Sequence, residues 1–281
     1  MAFKDVLLPL TSYPVATPDA SIEHAVALAA AFGAHVTALT FEAEVPPRGT
    51  KNLLANLIVN LPELVAEEHK TSVANAKHLL DVFKAAAAKQ GVAHDALLAK
   101  AIALQVPDRL VQHARLHDLT ILPLQDGYSV EEWYAESVIF GSGRPTILLP
   151  GPAKQTRPLG TVSLAWDFSR AAARALADAM PLLETAKLVR VVTITGDKEI
   201  EGSHAELARH LQHHGIAAEM NMVAGNGRPA DKVLCDYIES TKASVLVMGA
   251  YGHSRAREFI LGGVTRSMLD DPPVPIFLSH G

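Results

Sequence analysis

The sequence is nearly without cysteine. Cys235 stands alone among 281 residues, so no disulfide can form within the chain. No apolar run approaches the roughly 20 residues that cross a bilayer, and Met1-Ala2-Phe3-Lys4-Asp5 runs into a strand-like segment without an apolar leader. A basic excess is missing too. A formal charge of −5 and a pI near 6.2 argue against a nucleic-acid or anionic-membrane partner for the chain as a whole, because both require a positive face. Neither Gly-x-x-x-x-Gly-Lys-Ser/Thr nor a first strand followed by Gly-x-Gly-x-x-Gly is present, so neither a P-loop NTPase nor a dinucleotide dehydrogenase is supported. Gly252-His253-Ser254-Arg255-Ala256 begins like a nucleophile elbow and lacks its closing glycine. These absences predict a soluble protein of a reducing compartment, most simply the cytoplasm.

What is present is a folding composition: 49% hydrophobic and 20% charged residues exceed what a disordered chain carries. The length predicts two compact units of about 100–150 residues each. In the first, short apolar runs and helical stretches alternate: strands at Val6–Leu10, His35–Phe41, Ala93–Leu98, Leu119–Leu122 and Thr146–Leu149, with helices at Ile22–Phe32, Asn52–Asn60, Glu63–Lys89, Pro107–Leu116 and Val130–Phe140. Ser21 is a candidate N-cap and Gly33 a stop. The second unit repeats this order, with strands at Thr161–Trp166, Leu188–Thr195, Ala217–Val223, Val245–Met248 and Pro275–Leu278. Its helices fall at Ser169–Leu183, Ser203–His214, Ala230–Ser240 and Thr265–Asp270. Pro107-Asp108-Arg109-Leu110 aligns with Pro229-Ala230-Asp231-Lys232, and Pro145-Thr146-Ile147-Leu148-Leu149 with Pro275-Ile276-Phe277-Leu278.

Such alternation predicts an α/β fold: two tandem Rossmann-like or flavodoxin-like domains, each a five-stranded, mostly parallel sheet with helices on both faces. The expected domains are 1–152 and 157–281, joined by the Pro- and Gly-containing segment Gly151 to Pro158.

Sheets of this kind bind ligands at the carboxyl ends of their strands. One strand end stands out. Val245-Leu246-Val247-Met248 leads into Gly249-Ala250-Tyr251-Gly252, then nine residues, then Gly262-Gly263-Val264-Thr265. Glycines let a backbone approach phosphate oxygens, and the next helix would offer free N–H groups carrying about half a positive charge. A merely structural turn is the alternative reading.

Gly249-x-x-Gly252-x(9)-Gly262, after a buried strand and before a helix, resembles the ATP-binding signature of the universal stress protein family. The likeness extends to Ala165-Trp166-Asp167-Phe168-Ser169, to Gly227-Arg228-Pro229-Ala230 and to Val274-Pro275-Ile276-Phe277. The resemblance implies an adenine-nucleotide-binding protein of stress response or signalling. Asp167 and Ile194 would border the base side, and Gly249, Gly252, Gly262, Gly263, Val264 and Thr265 would hold ribose and phosphates. His253, within the loop, is a further phosphate-side candidate. The family usually carries Ser or Thr where this chain has Gly263; Thr265 would then be the nearest hydroxyl. Loss of one charge-assisted hydrogen bond costs about 1.5–3 kcal/mol, so the expected ligands are AMP or ADP as well as ATP, with Mg accompanying ATP.

The first unit lacks these features. Thr11-Ser12 stands where the second has Asp167-Phe168, and the interval Leu122 to Ile147 is 25 positions against 29 for Val247 to Ile276. The deficit removes the paired glycines; Gly141-Ser142-Gly143 falls after the helix and reads as a turn. One nucleotide site, in the second unit, is therefore expected. No general base is evident in the loop, so no catalytic residue is assigned and any ATPase would be slow. No metal site is assigned either: His210 and His214, like His113 and His117, have helical i,i+4 spacing without a completing ligand. The two units are expected to pair as an intramolecular pseudo-dimer, with a homodimer as a further expectation. Two alternatives stand beside this reading: a nucleotide-free interaction module, and an ATP-hydrolysing enzyme relying on Asp167. Asp167 could instead simply cap the helix that follows it.

Overall fold

A computed structural model describes residues 2–44, 61–125, 130–151, 159–196, 203–250 and 263–280. The first half runs β1 (Asp5–Leu10), α1 (Asp19–Phe32), β2 (His35–Glu44), α2 (Leu61–Gln90), β3 (His94–Ile102), a short 3-10 turn (Ala103–Gln105), α3 (Val106–Ala114), β4 (Leu119–Pro123), α4 (Val130–Gly141) and β5 (Thr146–Leu149). The second runs β6 (Thr161–Ala165), α5 (Arg170–Thr185), β7 (Leu188–Thr195), α6 (His204–His213), β8 (Ala218–Ala224), α7 (Ala230–Thr241), β9 (Val245–Gly249), α8 (Gly263–Asp270) and β10 (Ile276–Ser279). The helix expected over Asn52–Asn60 lies outside the described residues.

The strands form one sheet in the order β3-β2-β1-β4-β5-β10-β9-β6-β7-β8. Within each half every pairing is parallel. The halves meet through a single antiparallel pairing of β5 with β10, Ile147 opposite Phe277. Each half contributes the five parallel strands expected of it, and the two sets are continuous across β5 and β10.

Side-chain alternation decides the two faces. Val6, Leu8, Leu10, Ile121, Ile147, Leu164 and Phe277 pack beneath α1, α2, α5 and α6, while Leu7, Leu39, Leu122, Leu148, Leu246 and Met248 pack beneath α3, α4, α7 and α8. Strands covered on both sides must be almost wholly apolar, and β1 after Asp5, β4, β5 and β10 accordingly read as apolar or small-residue runs that are buried almost end to end.

The helix termini show which local signals governed. Gly33 takes φ 63° and closes α1. Ser21 is not the N-cap: α1 begins two residues earlier, behind Pro18, whose extended backbone (φ −61°, ψ 140°) presets the entry. Ser21 is buried inside the helix instead. Ser203 does cap α6, accepting from the Glu206 amide at 3.1 Å, the arrangement that Ser-x-x-Glu favours.

Candidate functional site

Three strand ends converge in the second half. The register Ala165↔Val192, continued by two residues, sets Asp167 beside Ile194. The register Leu164↔Val247 sets Gly249 beside Trp166. The chain leaves β6 in one direction toward β7 and reaches β9 on the other side, so the gap between β6 and β9 is the topological switch point at which such sheets take ligands. Asp167, Ile194 and Gly249 therefore stand together at the carboxyl edge of β9, β6 and β7.

The turn after β6 is tightly specified. The Trp166 amide donates to Val192 O at 2.9 Å, prolonging the strand by one residue. Asp167 is exposed, and its Oδ1 accepts from the Ser169 amide at 3.0 Å. Ser169, not Asp167, caps α5 by accepting from the Ala172 amide at 3.1 Å. The capping alternative for Asp167 is thus corrected: a residue three positions before the first free amides can serve the turn, whereas Ser169 is adjacent to the helix start. Between them Phe168 holds φ 60°, a conformation costly for a residue with a Cβ. Its ring lies edge-on to Trp166 at 5.5 Å and to His204 at 5.1 Å, and His204 Nε2 is 3.0 Å from Thr193 Oγ1. Aromatic packing holds the turn in place.

Gly249 has a structural reason to be glycine. A Cβ there would lie 2.3 Å from the Ala171 carbonyl carbon and 2.6 Å from the Ala172 nitrogen, so β9 can pass under the first turn of α5 only without a side chain. Ala250 is buried, and its amide donates to Ser279 O at 2.8 Å. At the far end of the loop, Gly263 opens α8 with nothing within 4 Å of a notional Cβ. Val264 is half-buried, and Thr265 is buried at 4% exposure; the accessible tip of α8 is the Gly263 backbone rather than the Thr265 hydroxyl. No acidic residue lies in the first turn of α8, so its N-terminal partial charge meets no carboxylate of its own. Gly252, His253 and Gly262 lie outside the described residues.

The corresponding place in the first half is filled by the chain itself. Ser12 is buried; its Oγ donates to Phe41 O and lies 2.9 Å from Ser72 Oγ of α2. Ser72 Oγ in turn accepts from the Ala43 amide at 2.9 Å, and Asn75 Nδ2 donates to Ser12 O at 3.0 Å. A small pocket remains among Leu10, Thr11, Ser12, Phe41, Leu110 and Tyr134. In the first turn of α4, Glu131 is only 2% exposed. Its Oε1 accepts from Gln125 Nε2 at 2.9 Å, and the same amide group lies 3.2 Å from Val15 O. Burial, reinforced by the Glu131 carboxylate, pushes the Tyr134 phenol well above its ordinary range. Sequence reasoning missed Ser72, Gln125 and Glu131, since a serine within a long helix and a glutamate at a helix start look like ordinary surface residues.

The histidine pairs make local contacts within the fold. His117 Nδ1 lies 2.8 Å from His113 O, and its Nε2 lies 3.7 Å from Asp5 Oδ1. Burial, then His117 and Arg109, hold the His113 imidazole below its ordinary value. His210 and His214 stack edge-on at 5.0 Å. Among the described residues no three His, Cys, Asp or Glu side chains are grouped to hold a metal ion.

Residues 160–280 match the universal stress protein family. The family match falls on the second half of the chain. The universal stress protein Slr1230 of Synechocystis sp. PCC 6803 is 26% identical over 150 residues, covering 50% of this chain and 48% of that protein, so the match spans about half the length of this curated relative. A universal stress protein structure from Archaeoglobus fulgidus DSM 4304 superposes with a TM-score of 0.69 at 16% identity, covering 98% of each chain. A functionally unknown protein from Pseudomonas aeruginosa PAO1 gives 0.58 at 14% identity, over 99% of this chain and 93% of that one. At such identities the likeness is one of fold, and it reaches both halves. No helix among the described residues is long and apolar enough to cross a membrane.

Proposed function

We propose that the chain is a universal stress protein that binds one adenine nucleotide in its second half and acts in stress signalling or protection through occupancy of that site. The observation that carries the reading is the convergence of Asp167, Ile194 and Gly249 at a switch point whose glycine segment ends on the acid-free N-terminus of α8. On this reading the domains are 1–152 and 157–281, paired as a pseudo-dimer through β5 and β10, in a cytoplasmic protein. Asp167 and Ile194 take the adenosine side; Gly249, Gly252, His253, Gly262, Gly263, Val264 and Thr265 take ribose and phosphates, mainly through main-chain N–H groups. AMP and ADP compete with ATP, because the hydroxyl that would follow the last glycine is replaced by Gly263. Asp167 Oδ1 already accepts from the Ser169 amide, so Mg would arrive on the phosphates of ATP rather than in a protein cage.

The test is calorimetric titration of ATP, ADP and AMP into the wild type and Gly252→Asp, with assay of nucleotide released on denaturing the purified protein. Micromolar binding lost in Gly252→Asp is expected. No binding by the wild type at millimolar nucleotide would remove this reading. Turnover faster than about one per second would instead favour an enzyme.

A second reading, a nucleotide-free interaction module, draws support from the β3 edge. Leu97, Leu98 and Ile102 are exposed along it, with Leu104 exposed in the turn that follows, and such an edge is a template for another chain.

A further inference from the structure

The turn that carries Asp167 is built on a residue that resists it. Phe168 is the middle of an Asx turn, closed where Asp167 Oδ1 accepts from the Ser169 amide, and it takes φ 60° although it has a side chain. Such a backbone persists only where its surroundings over-determine it. Two rings do so here. Trp166 and His204 meet the Phe168 ring edge-on, at 5.5 Å and 5.1 Å. His204 is itself fixed: it opens α6 behind the Ser203 cap, and its Nε2 is hydrogen-bonded to Thr193 Oγ1 at 3.0 Å. Thr193, 1% exposed, stands beside Trp166 when the register Ala165↔Val192 is continued by one residue. The matching first-half residues are Leu10, Ser12 and Thr40, with Leu10 opposite Thr40, and no ring stands among them. There the buried Thr40 hydroxyl has no hydrogen-bond partner among the described residues.

We infer that Thr193, His204 and Phe168 are positioning residues for Asp167. Thr193 orients the imidazole, the imidazole and Trp166 pin the phenyl ring, and the pinned ring keeps the Asx turn that sets the Asp167 carboxylate beside Ile194 at the carboxyl edge. The three act through the turn rather than by touching a ligand. The functional consequence rests on the nucleotide reading, in which Asp167 takes the adenosine side. The effect then belongs to the nucleoside end, so AMP and ATP, which share that end, lose affinity by the same factor when the relay is cut. A general loosening of the second half would also disturb contacts to the phosphates that only ATP carries, and the two factors would part.

The test uses the full chain in three variants and a rescue. His204→Ala cuts the relay at its centre. Phe168→Gly removes the ring yet leaves a backbone free to hold the left-handed turn, and Phe168→Tyr restores the ring. Thr193→Val loses only a hydroxyl, and it carries the test alone where the larger changes melt below the wild type. Exchange of the Ser169 amide, read by nuclear magnetic resonance, should quicken in the first two variants and in Thr193→Val, with β1 and β4 unchanged, and stay at the wild-type rate in Phe168→Tyr. In calorimetry the affinities for AMP and ATP should fall together by about 2- to 30-fold, the range expected when a coupling residue is removed. Unchanged Ser169 exchange in variants that melt like the wild type would overturn the inference. So would faster exchange with undiminished affinity, or a fall in ATP affinity that AMP does not share. If the wild type binds neither nucleotide, the nucleotide reading falls by itself, and Ser169 exchange alone judges whether the relay holds the turn.

Discussion

The two halves share strand order and connectivity yet finish their sheets differently. In the second, the residue after the first strand's extension is Asp167, exposed and held in a turn. In the first, the aligned residue is Thr11, 6% exposed, beside Ser12, which is tied to Ser72 and to the backbone of β2. The helix that follows the fourth strand differs as well. Glu131 sits in the first turn of α4 and is buried against Gln125, whereas α8 begins with an open Gly263 and no acid. A helix N-terminus that already faces a carboxylate has little left for a phosphate. One fold thus yields different ends by placing polar groups inside the first and keeping acids out of the first turn of α8 in the second.

That contrast can be broken in measurable ways. The largest effect is expected at Gly249. Alanine there meets the backbone of α5, which cannot rotate aside, so urea denaturation should show a loss of about 3 kcal/mol or more; Gly263→Ala, placed in open space, should be within about 0.5 kcal/mol of wild type. Next comes Thr11→Asp, which installs the second half's carboxylate in the first. Burying it unpaired should cost about 3 kcal/mol at pH 7 and create no second nucleotide site by titration. Were this variant as stable as wild type and able to bind two nucleotides, the description of the first-half end as filled would be wrong.

Ser72→Ala removes the acceptor of the Ala43 amide and the partner of Ser12 Oγ, a loss of about 1–3 kcal/mol by thermal or urea denaturation. The reciprocal change Asp167→Thr touches an exposed turn and should cost only about 0.5–1 kcal/mol of stability while weakening ATP binding in calorimetry. The smallest effect is the pH dependence of Glu136. Burial lifts its carboxyl, Arg266 draws it back and Asp270 lifts it again, leaving it above its ordinary value in the folded state. A raised acid contributes stability that is present at low pH and is lost as pH rises through the folded value. Glu136→Gln should therefore melt slightly above wild type at pH 7, and the gap should close toward pH 4; a gap that widens on acidification would reverse the sign assigned here.

Much of the architecture was readable from residue pattern. Mostly apolar runs of four to eight residues separated by helical stretches marked all ten strands, because the central strands, covered on both faces, carry almost no charge. β3 was placed but read short, as Ala93–Leu98 rather than His94–Ile102, since an edge strand with one open side alternates too weakly to show its length. The α8 start was also read late, at Thr265 instead of Gly263, because glycine argues against helix even where it occupies the first position. At the site, the glycine spacing singled out Gly249, whereas Asp167 and Ile194 entered through the family resemblance. Their convergence was not, and neither were Phe168's left-handed backbone nor the Phe140 and His280 contact, which join residues far apart in the chain.

By itself the sequence determined the repeat, the parallel strand–helix alternation, the asymmetry between the halves and the position of the glycine segment. These follow from local periodicity and from residue types whose backbone freedom is a local property. Only the tertiary structure decided that ten strands form one sheet through β5 and β10, that Gly249 is glycine because α5 passes over it, and that Phe140 of a first-half helix meets His280 beyond β10. Each depends on which surfaces meet after folding, and no local pattern carries that information.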